Sequence, residues 1–190
     1  ATMSNHKNNH SLRIIGGNWR GRKVSFRNNE EIRPSPDRVR ETLFNWLTGY
    51  LQNARCLELF AGSGILSFEA LSRGAREVTL VDNMQSTVEQ LKLEFEKLNV
   101  PSHQFQLFNM NADEWLKNSK TDTFDLIFLD PPFDGKELTS TLDQICAGNL
   151  LDSAGFIYIE SANIISADTL APGWIIHRQK RAASVHYCLI

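Results

Sequence analysis

The chain has 190 residues, 42% of them hydrophobic and 22% charged, with a formal net charge of −2. That length suits one α/β domain with a buried core, and no apolar run approaches the roughly 20 residues of a membrane span. Cys56, Cys146 and Cys188 are too few and too scattered for a disulfide framework or a zinc knuckle, so a reduced, cytoplasmic protein with no metal is expected.

The net charge hides an asymmetry. Residues 1–40 carry +6 and the rest of the chain carries −8. A basic front on an acidic body suits a polyanion docked at one place, with an ordinary solvated surface as the plainer alternative. Ala1 to His10 is polar and has no apolar h-region, so it does not read as a secretory signal. Ala1 and Thr2 ahead of Met3 read as a cloning remnant. Residues 1–11 lack periodicity and are expected to be disordered.

Two β-prone runs follow, Leu12–Ile15 and Lys23–Phe26, joined through Gly16, Gly17 and Gly21. They predict a hairpin or arm whose tip carries Asn18, Trp19, Arg20 and Arg22. Ser35-Pro36 gives an N-cap and a first-turn proline, and Val39, Leu43, Leu47 and Tyr50 keep helical spacing to about residue 50. Strands and helices then alternate. The predicted strands are Cys56–Phe60, Val78–Val81, Phe105–Phe108, Phe124–Leu129 and Phe156–Glu160. The predicted helices are Ser63–Arg73, one carrying Val88, Leu91, Phe95 and Leu98, then Ala112–Lys117 and Glu137–Ala147. Two final strand-like runs, Trp174–His177 and Ser184–Leu189, flank a basic turn from Arg178 to Arg181. This alternation means a parallel sheet with helices on both faces, whose ligands bind beyond the carboxyl ends of its strands at the switch point.

Three motifs stand where strands end. Glu58-Leu59-Phe60-Ala61-Gly62-Ser63-Gly64 places paired glycines between a strand and a helix, which lets backbone approach a ligand closely. A tight turn alone would look the same. Asp82 ends the next strand 18 residues after Gly64, near the offset of a ribose-binding acid. Ser67 stands where a dinucleotide fingerprint wants Gly or Ala, and Glu58 would repel a pyrophosphate. A nicotinamide dehydrogenase is therefore disfavoured, whereas the ammonium and sulfonium of S-adenosylmethionine suit Glu58.

The third motif is Asp130-Pro131-Pro132-Phe133. The proline pair stiffens the loop, so Asp130 and the Pro131 carbonyl can both accept from one exocyclic amino group while Phe133 stacks on its ring. An aryl amine is a poor nucleophile, and accepting both N–H groups aims its lone pair. A strand-ending turn is the bland alternative.

This ordered set resembles the class I S-adenosylmethionine-dependent methyltransferases that modify exocyclic amines. More narrowly, Arg13 to Gly17, Trp19-Arg20-Gly21-Arg22, Arg33-Pro34, Asp37 to Glu41 and Leu43-Phe44-Asn45 resemble the bacterial 16S rRNA guanine-N2 methyltransferases of the RsmD type. The resemblance spans about Leu12 to Leu189. It implies a Rossmann-like, seven-stranded, mostly parallel sheet with its last strand antiparallel, and methylation of N2 of guanine 966. It also implies one domain over 12–190, with a basic arm over 12–34, a leading helix over 35–50 and a cofactor-binding core over 55–190.

Carried onto this sequence, the resemblance gives Glu58, Gly62, Ser63 and Gly64 to the methionine end of the cofactor. Asp82 falls to the ribose, Met84 near the adenine, and Asn111 and Ala112 to the adenine edge, where many relatives carry an acid instead of Asn111. Asp130, Pro131 and Phe133 form the target site. Arg38 is left between the cofactor carboxylate and an RNA phosphate. Arg20, Arg22, Lys23 and Arg33 would meet phosphates, and Trp19 either stacks on a base or staples the arm. The expected partner is 16S rRNA, the small subunit or its assembly intermediate, met by a monomer. An adenine-N6 methyltransferase and a non-catalytic RNA-binding protein remain as alternatives.

Overall fold

The computed structural model of the protein describes residues 9–27, 35–118, 122–131 and 136–190. Arg33, Pro132, Phe133 and residues 1–8 of the expected tail lie outside the described residues.

A hairpin leads the fold. Strands β1 (Asn9–Arg13) and β2 (Lys23–Arg27) pair antiparallel, from Asn9 opposite Arg27 to Arg13 opposite Lys23. Residues 9–11, expected to be disordered, are therefore strand, because each has a backbone partner in β2. Helix α1 (Asp37–Trp46) follows, then β3 (Arg55–Leu59), α2 (Ile65–Ser72), β4 (Glu77–Asp82), α3 (Gln85–Lys97) and β5 (Phe105–Asn109). The second half adds α4 (Ala112–Lys117), β6 (Phe124–Leu129), α5 (Lys136–Ala147), β7 (Leu151–Ser161), β8 (Arg178–Ala182) and β9 (Val185–Leu189).

The main sheet has the order β5-β4-β3-β6-β7-β9-β8. The pairs from β5 to β7 are all parallel, and β9 runs antiparallel to both β7 and β8. The chain winds outward from β3 to β5, then returns to lay β6 against the other edge of β3. The switch point is therefore the β3–β6 seam. The Rossmann-like fold and the antiparallel last strand stand as expected.

Strand alternation gives the sheet two apolar faces, each covered by helices. One face packs Cys56, Val78, Leu80, Leu126, Phe128 and Tyr158 against Leu43 and Phe44 of α1, Phe68 of α2 and Phe95 of α3. The other packs Leu57, Leu59, Ile127, Leu129 and Ile159 against Trp115 of α4 and Leu142 and Ile145 of α5. Phe68, Phe95 and Phe105 stack in sequence with centroid separations of 4.3 and 4.4 Å.

Several predicted elements are corrected. Helix α1 starts at Asp37 with Pro36, not Ser35, at the N-cap position, and it ends at Trp46 and not near residue 50. Arg178 to Arg181 is not a turn but the body of β8, paired with β9 from Arg178 opposite Leu189 to Ala182 opposite Val185. The reversal comes after it, at Ala183 with φ of 53°, and residues 174–177 before it are not strand. A charged run makes sense as an edge strand, because Lys and Arg there discourage pairing with a further chain.

Candidate active site

The carboxyl end of β3 turns into α2 through a loop with three residues in the left-handed region. Phe60, Gly62 and Gly64 have φ of 60°, 56° and 72°. For Phe60 this conformation is strained, since a Cβ crowds the backbone there. Gly64 has a second reason to be glycine: a Cβ would stand 2.5 Å from Leu91 Cδ2. Its missing side chain therefore lets α3 close on the loop, a packing role that the ligand-approach argument does not anticipate. Ser63 is buried, and its Oγ accepts from the Ile65 amide at 3.3 Å.

Asp82, at the end of β4, braces this loop. Its Oδ2 accepts from the Gly62 amide at 3.0 Å and its Oδ1 from the Met84 amide at 2.9 Å. Each oxygen keeps a second lone pair, so the carboxylate can hold the loop and still accept from a ligand's hydroxyls. Met84 occupies the N-cap position of α3 without a side-chain cap bond. Asn111 caps α4, accepting from the Asp113 amide at 2.8 Å, and Ala112 is buried in the second apolar face. The family resemblance assigns these residues to the adenine side; locally, each has a structural place of its own.

Across the switch point the register sets two acids side by side and a third one pleat behind them. Glu58 pairs with Phe128, and Phe128 with Tyr158. One pleat further toward the carboxyl ends, Leu129 opposite Ile159 carries the register on to Asp130 beside Glu160. By alternation Glu58, Asp130 and Glu160 share the face covered by α1.

Glu58 and Glu160 are 4% and 6% exposed. Burial is the first cause of every shift in this group, because low dielectric disfavours the charged carboxylate. Glu58 is pushed up to about 8, with the hydrogen bonds of Ser67 opposing the shift and the charges of Asp130 and Glu160 adding to it. Ser67 Oγ donates to Glu58 Oε1 at 3.2 Å. Asp130 is likewise pushed up to about 8, by burial, then by the charge of Glu160 and a hydrogen bond with it. Glu160 is also raised by burial, against hydrogen bonds from Ser35, Tyr158 and Asp130.

Glu160 and Tyr158 were not singled out from the sequence, and Ser35, read there as a helix N-cap, makes no side-chain cap bond. The Glu160 Oε1 accepts from the Tyr158 hydroxyl at 2.7 Å and from the Ser35 hydroxyl. The signal was present: Glu160 stands near the end of β7, as Asp130 follows directly on β6. Arg40, fully buried in α1, ties this corner to the arm. It donates to the Ser35 carbonyl at 3.2 Å, to the Arg13 carbonyl at 2.9 Å and to Asp37. Arg38, two residues earlier, is exposed.

The arm docks on the carboxyl-terminal end of α2. The Ile15 amide donates to both oxygens of the fully buried Glu69 at 3.0 Å. The Trp19 amide donates to Ser72 Oγ at 2.9 Å, and that hydroxyl donates to the Gly16 carbonyl at 2.6 Å. Trp19 is half-buried against the core, so it does staple the arm. Arg20, Arg22 and Lys23 are exposed around it. The site thus combines a braced glycine loop and buried acids at the carboxyl ends of the strands, while the basic arm docks at the opposite end of α2.

A family model described as Conserved hypothetical protein 95 matches residues 12–190. The chain is 39% identical over 180 residues to a Haemophilus influenzae protein named ribosomal RNA small subunit methyltransferase D, covering 94% of this chain and 92% of that one. It superposes on the solved structure of yhhF from Escherichia coli with a TM-score of 0.84 at 38% identity, over 95% of this chain and 97% of the other. It shares its fold with SMU.776, solved as a complex with SAH, at a TM-score of 0.71 and 18% identity, over 89% of this chain and 53% of that one.

Proposed function

The chain belongs to the ribosomal RNA small subunit methyltransferase D family, whose fold is that of the class I S-adenosylmethionine-dependent methyltransferases, and on that premise we propose that it methylates the exocyclic N2 of a guanine in 16S rRNA. By the family resemblance that base is guanine 966. The observation that carries this reading is the Asp130-Pro131 corner, which stands across the β3–β6 seam from the Asp82-braced glycine loop.

When bound, S-adenosylmethionine supplies an electrophilic methyl on a cationic sulfonium. The residues present fit such a ligand. Glu58 is a buried carboxyl whose charge is opposed by two neighbouring acids, and a ligand ammonium would stabilise its ionised form. Asp82 keeps a free lone pair on each oxygen for the ribose hydroxyls. Gly62, Ser63 and Gly64 line the methionine side, with Met84, Asn111 and Ala112 on the adenine side.

At the other half of the site, Asp130 and the Pro131 carbonyl accept the two N–H groups of the target amine. That fixes the nitrogen lone pair on the transfer axis, and positioning is the main catalytic contribution. Phe133 stacks on the guanine ring. A base inside a helix cannot reach this corner, so the target is unpaired or flipped. Arg20, Arg22, Lys23 and Arg33 meet phosphates, Trp19 holds the arm that carries them, and Arg38 extends the basic rim. Such contacts recognise the folded RNA of the subunit or its assembly intermediate more than a read sequence.

The test is methyl transfer from labelled S-adenosylmethionine to unmodified small subunits, bare 16S rRNA and duplex DNA, followed by nucleoside analysis. Label in N2-methylguanosine is the expected result. Label in N6-methyladenine would overturn the substrate, and no label in any RNA would overturn the activity.

A further inference from the structure

Glu160 has no part in the reaction described so far, yet it is the side chain Asp130 meets on the neighbouring strand. It is almost wholly buried, and two hydroxyls, from Ser35 and Tyr158, donate to its Oε1. Asp130 hydrogen-bonds the same carboxyl. Two carboxyls can hydrogen-bond each other only with a proton between them. If Glu160 served structure alone, its two hydroxyl donors would suffice, and a second buried acid beside it would be a plain liability.

The surrounding groups come from every element packed on the pair. Glu58 faces it from β3, and Tyr158 and Tyr187 from β7 and β9, Tyr187 being the register partner of Glu160. Arg40, itself bound to Asp37, supplies the nearby positive charge from α1.

Resting on the reading that Asp130 faces the target amine, we infer that Glu160 is a positioning residue that shares a proton with Asp130 and makes Asp130 the acceptor of the proton released after methylation. As an N–H bond of the methylated, cationic nitrogen breaks, its electron pair stays on nitrogen. The proton bonds to an Asp130 oxygen and is then held in the Asp130–Glu160 hydrogen bond. The step starts from the fully ionised pair, which is populated as pH rises through the limb: the nitrogen becomes neutral, the pair passes from two negative charges to one and regains the proton its hydrogen bond requires, and nothing is oxidised. A lone carboxylate is a weak base near neutrality, whereas a coupled pair that binds this proton near pH 8 is matched to the task.

The experiment is the pH profile of single-turnover methyl transfer for the wild type, Glu160→Gln, Tyr158→Phe and Asp130→Asn, with Tm and cofactor affinity measured for each. The wild-type rate is expected to rise with pH along a limb near 8. Glu160→Gln removes the like charge and offers Asp130 an N–H, so the limb moves more than one unit toward acid and the plateau falls roughly ten-fold. Tyr158→Phe removes a donor from Glu160, which raises the pair's proton affinity and moves the limb toward alkali. A merely structural Glu160 would lower rate and Tm with the limb unmoved in both variants, and that result overturns the inference. Should Glu160→Gln fail to fold, an unmoved limb in Tyr158→Phe overturns it alone. Asp130→Asn separates the failures: if it remains active, the reading of Asp130 itself falls. If it is inactive while the Glu160→Gln limb stays in place, only the part given to Glu160 falls.

Discussion

Burial holds the Glu58 carboxyl at about 8 instead of its ordinary 4.5, with Ser67 pulling the other way. At pH 7 the free protein therefore keeps it protonated, and a cationic ligand drives the proton off. Calorimetric titration with S-adenosylmethionine at pH 7 in buffers of different ionisation enthalpy should show net proton release. Glu58→Gln should diminish that release, and equal enthalpies in every buffer would contradict the role. The same shift has a stability consequence. The folded-state value lies above the unfolded one, so this contribution is full below about pH 4.5 and is lost as pH rises through 8. Asp130, raised from 3.8 to about 8, acts in the same direction. The Tm of the free protein should thus fall across that window, less steeply in Glu58→Gln. The sequence showed Glu58 as an acid at the head of a glycine loop. Its burial and its two acidic neighbours were not legible there, because they depend on which strands lie side by side.

At the scale of elements, the arm shows what local reading captures and what it misses. The β-prone runs and glycines indicated a hairpin, whose first strand is Asn9–Arg13 and not Leu12–Ile15, and Gly21 has the positive φ of a turn, at 84°. What the tip packs against lies more than 50 residues away, on Glu69 and Ser72, and no local pattern names such a partner. Gly17 records the contact. Its φ is 79°, and a Cβ there would stand 2.0 Å from the Ser72 carbonyl oxygen. Gly17→Ala should cost at least about 1–2 kcal/mol in urea unfolding, from the left-handed backbone alone. It should also weaken rRNA binding while leaving cofactor affinity within about two-fold, since the glycine loop stands at the other end of α2. Unchanged stability would mean the arm is not seated as described. Strand β8 was misread for a different reason. An edge strand made of charged residues shows no alternation of apolar side chains, so its pairing with β9 appears only in three dimensions.

The molecule as a whole divides its work at the β3–β6 seam. Strand–helix alternation made the parallel sheet legible, and with it the rule that the ends of β3, β4 and β6 converge. The order of the last strands was not, since short antiparallel strands fit either edge equally well by pattern, and the approach of Asp130 to Glu160 follows only from β6 and β7 being neighbours. In the proposed reading, Glu58 and the Asp82-braced loop hold the cofactor on one side of the seam, and Asp130 and Pro131 hold the target amine on the other. This division is what a paired substitution tests most directly. For Asp82→Asn and Asp130→Asn, S-adenosylmethionine affinity and rRNA methyl transfer would be measured on the same preparations. Asp82→Asn should weaken cofactor binding at least about ten-fold, given that a charged hydrogen-bond acceptor is lost. Asp130→Asn should leave cofactor affinity within about three-fold while turnover falls by about 10²–10⁴. Full turnover in Asp130→Asn, or loss of cofactor binding in step with turnover, would contradict the assignment of these two halves.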